Sequence, residues 1–389
     1  MPEQTPFKEW FNAQTVMMLA QHLQAAWPGF PSQHFIQSVT PGLASRELKA
    51  RIEYITEGLE PLLPPHFEEA QAILLQALPP DEGPPDGESF GSFSWAPFLR
   101  YISRNGIAHF ETSMQALKRM TLAISAEFDV RFFLIQDAPR AYALLHAWAK
   151  DSDWRVRRLV SEGSRPRLPW GIQLSEAVRD PSAGLSLLER LYQDPHPNVR
   201  RSVSNHLNDI SKDHPALAVE VAARWLQDGR AETLGLVRHA LRSRIKAGDP
   251  TALALFGYAA EKELALQQLE LKKEGTPHWV ESPGLELKLG ETLCIRATLV
   301  NRSTQPVQVL VDYVLHHLKA NGARTPKVFK WTSLELQPGE VRTLERIHRL
   351  KPVTTRAYYD GTQAVSLLLN GMPTEPRHFE LRVPSPSAR

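Results

Sequence analysis

The chain has 389 residues, 42% hydrophobic and 23% charged, with 45 lysines and arginines against 43 aspartates and glutamates. This is the composition of a soluble globular protein with two domains or three, and a net charge of +2 neither requires nor forbids a nucleic-acid partner. The single cysteine, Cys294, excludes an internal disulfide and a cysteine-built metal cluster.

No apolar run approaches the ~20 residues of a membrane span. The opening MPEQTPFKEW lacks the basic and apolar regions of a secretory signal, so a cytoplasmic location is expected. The first 75 residues read as amphipathic helices broken by prolines, among them Ser45 to Leu63 and Phe67 to Leu78. Pro79 to Glu88 (PPDEGPPDGE) reads as an acidic surface loop. Helical pattern resumes at Pro97 and is expected to reach about Leu271.

An irregular repeat runs through that helical stretch. Val-Arg recurs at Val130-Arg131, Val156-Arg157, Val199-Arg200 and Val237-Arg238. The best self-match aligns DSDWRVRRLVS (Asp151 to Ser161) with DPHPNVRRSVS (Asp194 to Ser204), an offset of 43 residues. That period and pattern are those of HEAT-type repeats, in which a helix pair buries its apolar face only by stacking on its neighbours. For Arg157 and Arg200 two roles stay open, a bond to a neighbouring helix or a ligand contact. The doubled Arg158 and Arg201 are expected to be free for a ligand.

Composition changes after Lys273-Glu274-Gly275. Leu293, Ile295, Ala297 and Leu299 alternate on one face, and Val307, Val309, Val311 and Tyr313 on another. Turn signals such as Asn321-Gly322, Pro338-Gly339 and Asn370-Gly371 separate the strands. Phe379, Leu381 and Val383 close the series, and the terminal PSPSAR reads as a frayed tail. The expected architecture is mainly α: a HEAT-like helical-repeat solenoid over residues 1–275, then an antiparallel immunoglobulin-like β-sandwich over 276–389.

Phosphate-loop, dinucleotide, nucleophile-elbow and H-E-x-x-H signatures are absent. His316-His317 lies in a strand, so its rings point to opposite faces and suit a wet surface better than a metal. No metal and no cofactor is expected. The candidate chemistry sits in SEGSRPRLPW, Ser161 to Trp170. Glu162 ends a helix, where the dipole disfavours a carboxylate by roughly 0.3–1 kcal/mol. Arg165 and Arg167 flank Pro166, and Trp170 is expected in the first turn of a helix opening at Pro169. Glu127 lies just ahead of Val130-Arg131. Asp209 follows its Val-Arg pair by ten residues and Glu162 by six, about one helical turn apart, so stacked repeats turn both acids to one side.

SAEFDVRFFL (Ser125 to Leu134), SEGSRPRLPW and SNHLNDISKDHP (Ser204 to Pro215), with ELKARIEYITEGLEPLLP and TTRAYYDG, resemble the AlkC branch of the AlkD-like DNA glycosylases. These are HEAT-like-repeat enzymes, and the resemblance is to the form with a C-terminal immunoglobulin-like domain. The residues around Glu127 depart somewhat from the commoner family forms.

The resemblance implies hydrolytic excision of cationic N-alkylated bases, chiefly 3-methyladenine and 3-methylcytosine, from duplex DNA, without extrusion of the base and by a monomer. It implies Glu127, Glu162, Trp170 and Asp209 as catalytic residues, and Arg158, Arg165, Arg167, Arg201 and Lys212 as DNA contacts. Such a base leaves without protonation while positive charge grows on the deoxyribose. A carboxylate about 4 Å away offers on the order of 4 kcal/mol at an effective dielectric near 20, roughly three orders of magnitude in rate. No lysine is placed as an obvious Schiff-base nucleophile, so no strand cleavage is expected. The competing readings are a HEAT-repeat scaffold for a protein partner and a damaged-DNA sensor that binds without cutting.

Overall fold

The computed structural model describes residues 6–79, 90–259, 261–280, 284–353 and 356–383. The acidic loop expected at Pro79 to Glu88 falls outside these from residue 80 onward, as do Thr354, Thr355 and the PSPSAR tail. Two compact units, Met1–Ala240 and Leu241–Arg389, divide the chain.

The first unit is helical. Its N-terminal part includes Ala13–Ala26, Ser32–Val39, Leu48–Leu59 and Phe67–Gln76, each burying one apolar stripe. The repeat becomes visible in Trp154–Gly163 and Pro197–Asp213, which pack on each other, the latter also packing on Pro215–Leu226 and Ala231–Ala240. Asp153 caps the first of these helices by accepting from Arg155 N at 2.8 Å. Trp154 stacks on His196 with ring centroids 4.0 Å apart, so the N-terminal ends of successive repeat helices meet face to face.

Two arginines of the repeat, Arg157 and Arg200, act alike. Arg157 donates to Asp151 O and Ser152 O, both at 2.9 Å, and Arg200 to Asp194 O and Pro195 O at 2.7 and 2.8 Å. Each ties down the turn that opens its own helix. Arg157 also clasps Asp194 of the next repeat through both carboxylate oxygens, at 2.6 and 3.0 Å. Of the two roles left open for this pair, the first describes Arg157.

The second unit opens with two short helices, Arg242–Lys246 and Pro250–Ala254. Its strands are β1 Leu264–Lys273, β2 Glu286–Lys288, β3 Thr292–Asn301, β4 Val307–Leu318, β5 Arg324–Leu336, β6 Val341–Arg349, β7 Gly361–Leu369, β8 Met372–Pro373 and β9 Arg377–Arg382. One sheet has the order β1-β3-β6 and the other β2-β9-β7-β4-β5, with β8 pairing β7. All pairs are antiparallel except β2 with β9. Leu293, Ile295, Ala297 and Leu299 of β3 and Val309, Val311 and Tyr313 of β4 meet in the core between the sheets.

Helical pattern does not reach Leu271. Leu264–Lys273 is strand, paired with β3 from Leu264↔Asn301 to Lys273↔Leu293. Its leucines, lysines and glutamines favour helix weakly, and burial of Leu269 and Leu271 against the sandwich overrides that preference. His317 also departs from expectation. Its ring is buried rather than wet, and burial pushes its pKa down to about 4. Among the described residues no cluster of three or more metal-binding side chains exists, and no helix is long and apolar enough to cross a membrane.

Candidate active site

The candidate residues of the first unit form a chain of alternating charge. Arg158 Nη1 donates to Glu127 Oε2 at 2.7 Å, and Ser125 Oγ to the same oxygen at 2.8 Å. Glu162 accepts from Arg165 Nη1 and from Ser202 Oγ, both at 2.6 Å. Arg165 Nε continues to Asp209 Oδ2 at 2.8 Å, and Lys212 Nζ reaches Asp209 Oδ1 at 2.9 Å. Glu162, Arg165 and Asp209 are buried, with side-chain exposures of 8%, 7% and 2%, whereas Lys212 is half exposed.

Local structure explains why these groups converge. Glu162 occupies the last turn of Trp154–Gly163 and Asp209 the last turn and a half of Pro197–Asp213. These packed helices run alongside each other, so their ends bring the acids together. Gly163 lets the end of the Glu162 helix approach Val130 and the neighbouring Glu127, since a Cβ there would lie 2.6 Å from Val130 Cγ2. Burial pushes the Glu162 carboxyl up, but Arg158 and then Arg165 outweigh it and hold the group below the usual carboxylate range. Glu162 is therefore an anion at neutral pH and unsuited to donate a proton.

Arg165 differs from what its loop position implies. It is not displayed toward solvent; its guanidinium lies inside the unit and bridges two carboxylates. Arg158 is likewise engaged by Glu127 rather than free. Arg167 pairs with Asp213 through two bonds of 2.8 Å near the surface, and Arg201 is exposed.

Trp170 does not begin a helix. It stands in a turn at φ +65°, the left-handed region that a bulky residue adopts only under external constraint, at roughly 1–3 kcal/mol; the next helix is Ser175–Arg179. The indole is 56% exposed and meets Phe7 edge to face with centroids 5.7 Å apart.

The constraint on this turn comes from Arg131, which the sequence marked only as one of the repeat arginines. Fully buried, it donates from Nη1 to Gly163 O at 2.8 Å and Arg165 O at 2.7 Å, and from Nε to Ile172 O at 2.7 Å. One side chain thus fixes both ends of the segment that carries Arg165, Arg167 and Trp170. Burial, followed by Arg165, pushes its pKa down to about 10, so it stays charged. Ser125 and Ser202 were also missed, because a hydroxyl that will meet a buried carboxylate has no signature in sequence.

A helical-repeat unit with a buried acid–arginine network, followed by an immunoglobulin-like sandwich, defines a class that the comparisons make specific. Residues 281–383 match the family model described as "Uncharacterised protein YhaZ, C-terminal Ig-like domain". The "Uncharacterized protein YhaZ" of Bacillus subtilis (strain 168) is 34% identical over 378 residues, which is 96% of this chain and 99% of that protein. The structure of Pseudomonas fluorescens alkylpurine DNA glycosylase AlkC, bound to DNA containing an abasic site analog, superposes with a TM-score of 0.86 at 34% identity. It covers 97% of this chain and 100% of that one. The chain belongs to the family of YhaZ and AlkC, in the form that carries the C-terminal immunoglobulin-like domain.

Proposed function

We propose that this protein is a monomeric, cytoplasmic DNA glycosylase that releases cationic N-alkylated bases, 3-methyladenine and 3-methylcytosine, from duplex DNA by hydrolysis. The observation that carries the reading is the pair of buried carboxylates, Glu162 and Asp209, sharing one guanidinium. The likeness to a DNA-bound alkylpurine glycosylase over nearly the whole chain supports it.

The chemistry follows from the charges. A 3-alkylated base departs with the electrons of its glycosidic bond and becomes neutral, so no acid catalyst is needed. Positive charge then grows on the deoxyribose, where preorganised carboxylates stabilise it. Three acids (Glu127, Glu162, Asp209) are balanced by three cations (Arg158, Arg165, Lys212) in the unliganded network. Lys212 is the partner that can leave: being half exposed, it can exchange Asp209 for a DNA phosphate. Asp209 Oδ1 then faces the sugar and the water that attacks it.

Arg165 holds the two acids in register from inside rather than contacting phosphate. Arg167, Arg201 and Lys212 supply the backbone contacts that orient the duplex. Trp170 packs against the deoxyribose, and the base need not leave the helix because the acids address the sugar. The amine nearest Asp209, Lys212 Nζ, is taken up by phosphate on this reading, so the reaction is hydrolysis without strand cleavage.

The test is base release from methylated duplex DNA by wild type and by Asp209→Asn. A loss of ~10²-fold or more in release by a variant that is still folded at the assay temperature, with DNA affinity retained, supports the reading. Wild type that binds the duplex and frees no base makes the protein a damage sensor. Wild type that does neither makes it a scaffold.

A further inference from the structure

Phe7 is 42% exposed and Trp170 is 56% exposed. The rings meet edge to face, 5.7 Å between centroids and 70° between planes. Trp10 backs Phe7 at 4.9 Å and 88°. Both rings keep a large part of their surface toward solvent beside a charged site.

Their backbones are nevertheless each held by a buried arginine. Arg131 grips the Trp170 segment by three carbonyls. The turn Phe7–Trp10 is gripped in the same manner by Arg51, itself only 4% exposed, whose Nη1 donates to Lys8 O at 2.8 Å and Phe11 O at 3.1 Å. Arg51 Nη2 also pairs with Glu9 at 3.1 Å. Two buried guanidiniums thus hold in place two short segments, each of which presents one exposed ring at the same spot.

We propose that Phe7 is a second substrate-contacting residue, forming with Trp170 an aromatic corner that receives the cationic part of the lesion nucleoside. The inference rests on the glycosylase reading and deepens it. Aromatic faces carry negative potential, so a cation against the corner is favoured over a neutral group of the same shape. The buried acids provide the charge that acts on the sugar, and the rings add selectivity without a formal charge of their own. An uncharged nucleoside gains only contact area there. Preference for positive charge at the target sugar therefore depends on the Phe7 ring as well as on Trp170.

The experiment compares two duplexes, one with a cationic pyrrolidine in place of the target deoxyribose and one with neutral tetrahydrofuran, at one ionic strength. Affinities are measured for wild type, Phe7→Leu, Phe7→Tyr and Trp170→Leu, together with single-turnover release of 3-methyladenine. Phe7→Leu is expected to lower the cation-over-neutral affinity ratio roughly 3- to 30-fold, with melting temperature and tetrahydrofuran affinity unchanged. Phe7→Tyr, which keeps the ring, is expected to keep the ratio. Equal loss on both duplexes makes Phe7 a packing residue and overturns the inference. So does a ratio that survives Phe7→Leu and falls only with Trp170→Leu. Wild type that frees no base overturns the glycosylase reading, whereas wild type that frees base with Phe7→Leu matching it on both duplexes overturns this inference alone.

Discussion

Glu162 and Asp209 are joined through one guanidinium, with Arg165 Nη1 on the first at 2.6 Å and Arg165 Nε on the second at 2.8 Å. Neither acid can be moved or removed without changing the environment of the other. Removing one member leaves an uncompensated buried charge, a loss of about 3–5 kcal/mol where measured in other proteins. Arg165→Met should therefore lower the melting temperature markedly and abolish base release. Arg165→Lys, which keeps the charge but cannot reach both acids with a rigid fork, should recover stability more than activity. Thermal melts and single-turnover release on the same preparations check this.

Because Arg158 and Arg165 hold the Glu162 carboxyl below its ordinary range, the acid stays charged throughout the neutral region. The rate of 3-methyladenine release should be flat between about pH 5 and 8, with any loss confined to pH below the carboxylate range. A pH–rate profile on an intact lesion duplex measures it. A tenfold rise per unit of falling pH within that window would mean that a proton donor takes part.

His206 is 1% exposed, and burial pushes its pKa down to about 4. The unfolded chain, with histidine near 6.5, therefore binds a proton that the folded state refuses. The stability this residue permits is fully present above pH ~6.5 and is lost as pH falls toward ~4, by on the order of 3 kcal/mol. Denaturant titrations across that range, subtracting His206→Gln from wild type, should isolate this slope.

Gly163 lies where a Cβ would meet Val130 Cγ2 at 2.6 Å, with Glu127 Cα 3.8 Å away. Gly163→Ala should cost about 1–3 kcal/mol through overpacking. It should also lower base release more than DNA affinity, because the strain pushes the helix end that bears Glu162 away from the turn that bears Glu127. Melts, binding and kinetics on one variant separate the two effects.

Lys212 is half exposed and paired with Asp209, and on the proposed function it meets a phosphate when DNA binds. Lys212→Ala should reduce the slope of log affinity against log salt by about one. Arg201→Ala should do the same, whereas Arg165→Lys should leave the slope alone. Fluorescence anisotropy over a salt series provides the comparison.

The repeat and the sandwich were legible because both rest on periodicity. Val-Arg pairs 43 residues apart marked equivalent helices, and alternation such as Leu293, Ile295, Ala297 and Leu299 marked a buried face that β3 realises. The acids were legible as residue types at related offsets. What sequence could not separate was Arg165 from Arg167: one is buried between carboxylates and the other lies near the surface on Asp213, yet both read as arginines beside a proline. Trp170 misled for a different reason. Pro-Trp resembles a helix start, and its left-handed turn is imposed by Arg131 from a helix some forty positions earlier, a long-range cause that no local pattern records.

Arg131 takes hold of the 163–172 segment entirely by main-chain oxygens. Main-chain oxygens are common to every residue type, so the grip is indifferent to which side chains the segment carries. Arg167 and Ile172, whose side chains lie toward the surface, can be exchanged while the turn keeps its course, which makes this stretch a natural place to redraw substrate scope by mutagenesis. Natural drift has the same freedom, so relatives with dissimilar loops can share one geometry wherever the arginine beneath is retained.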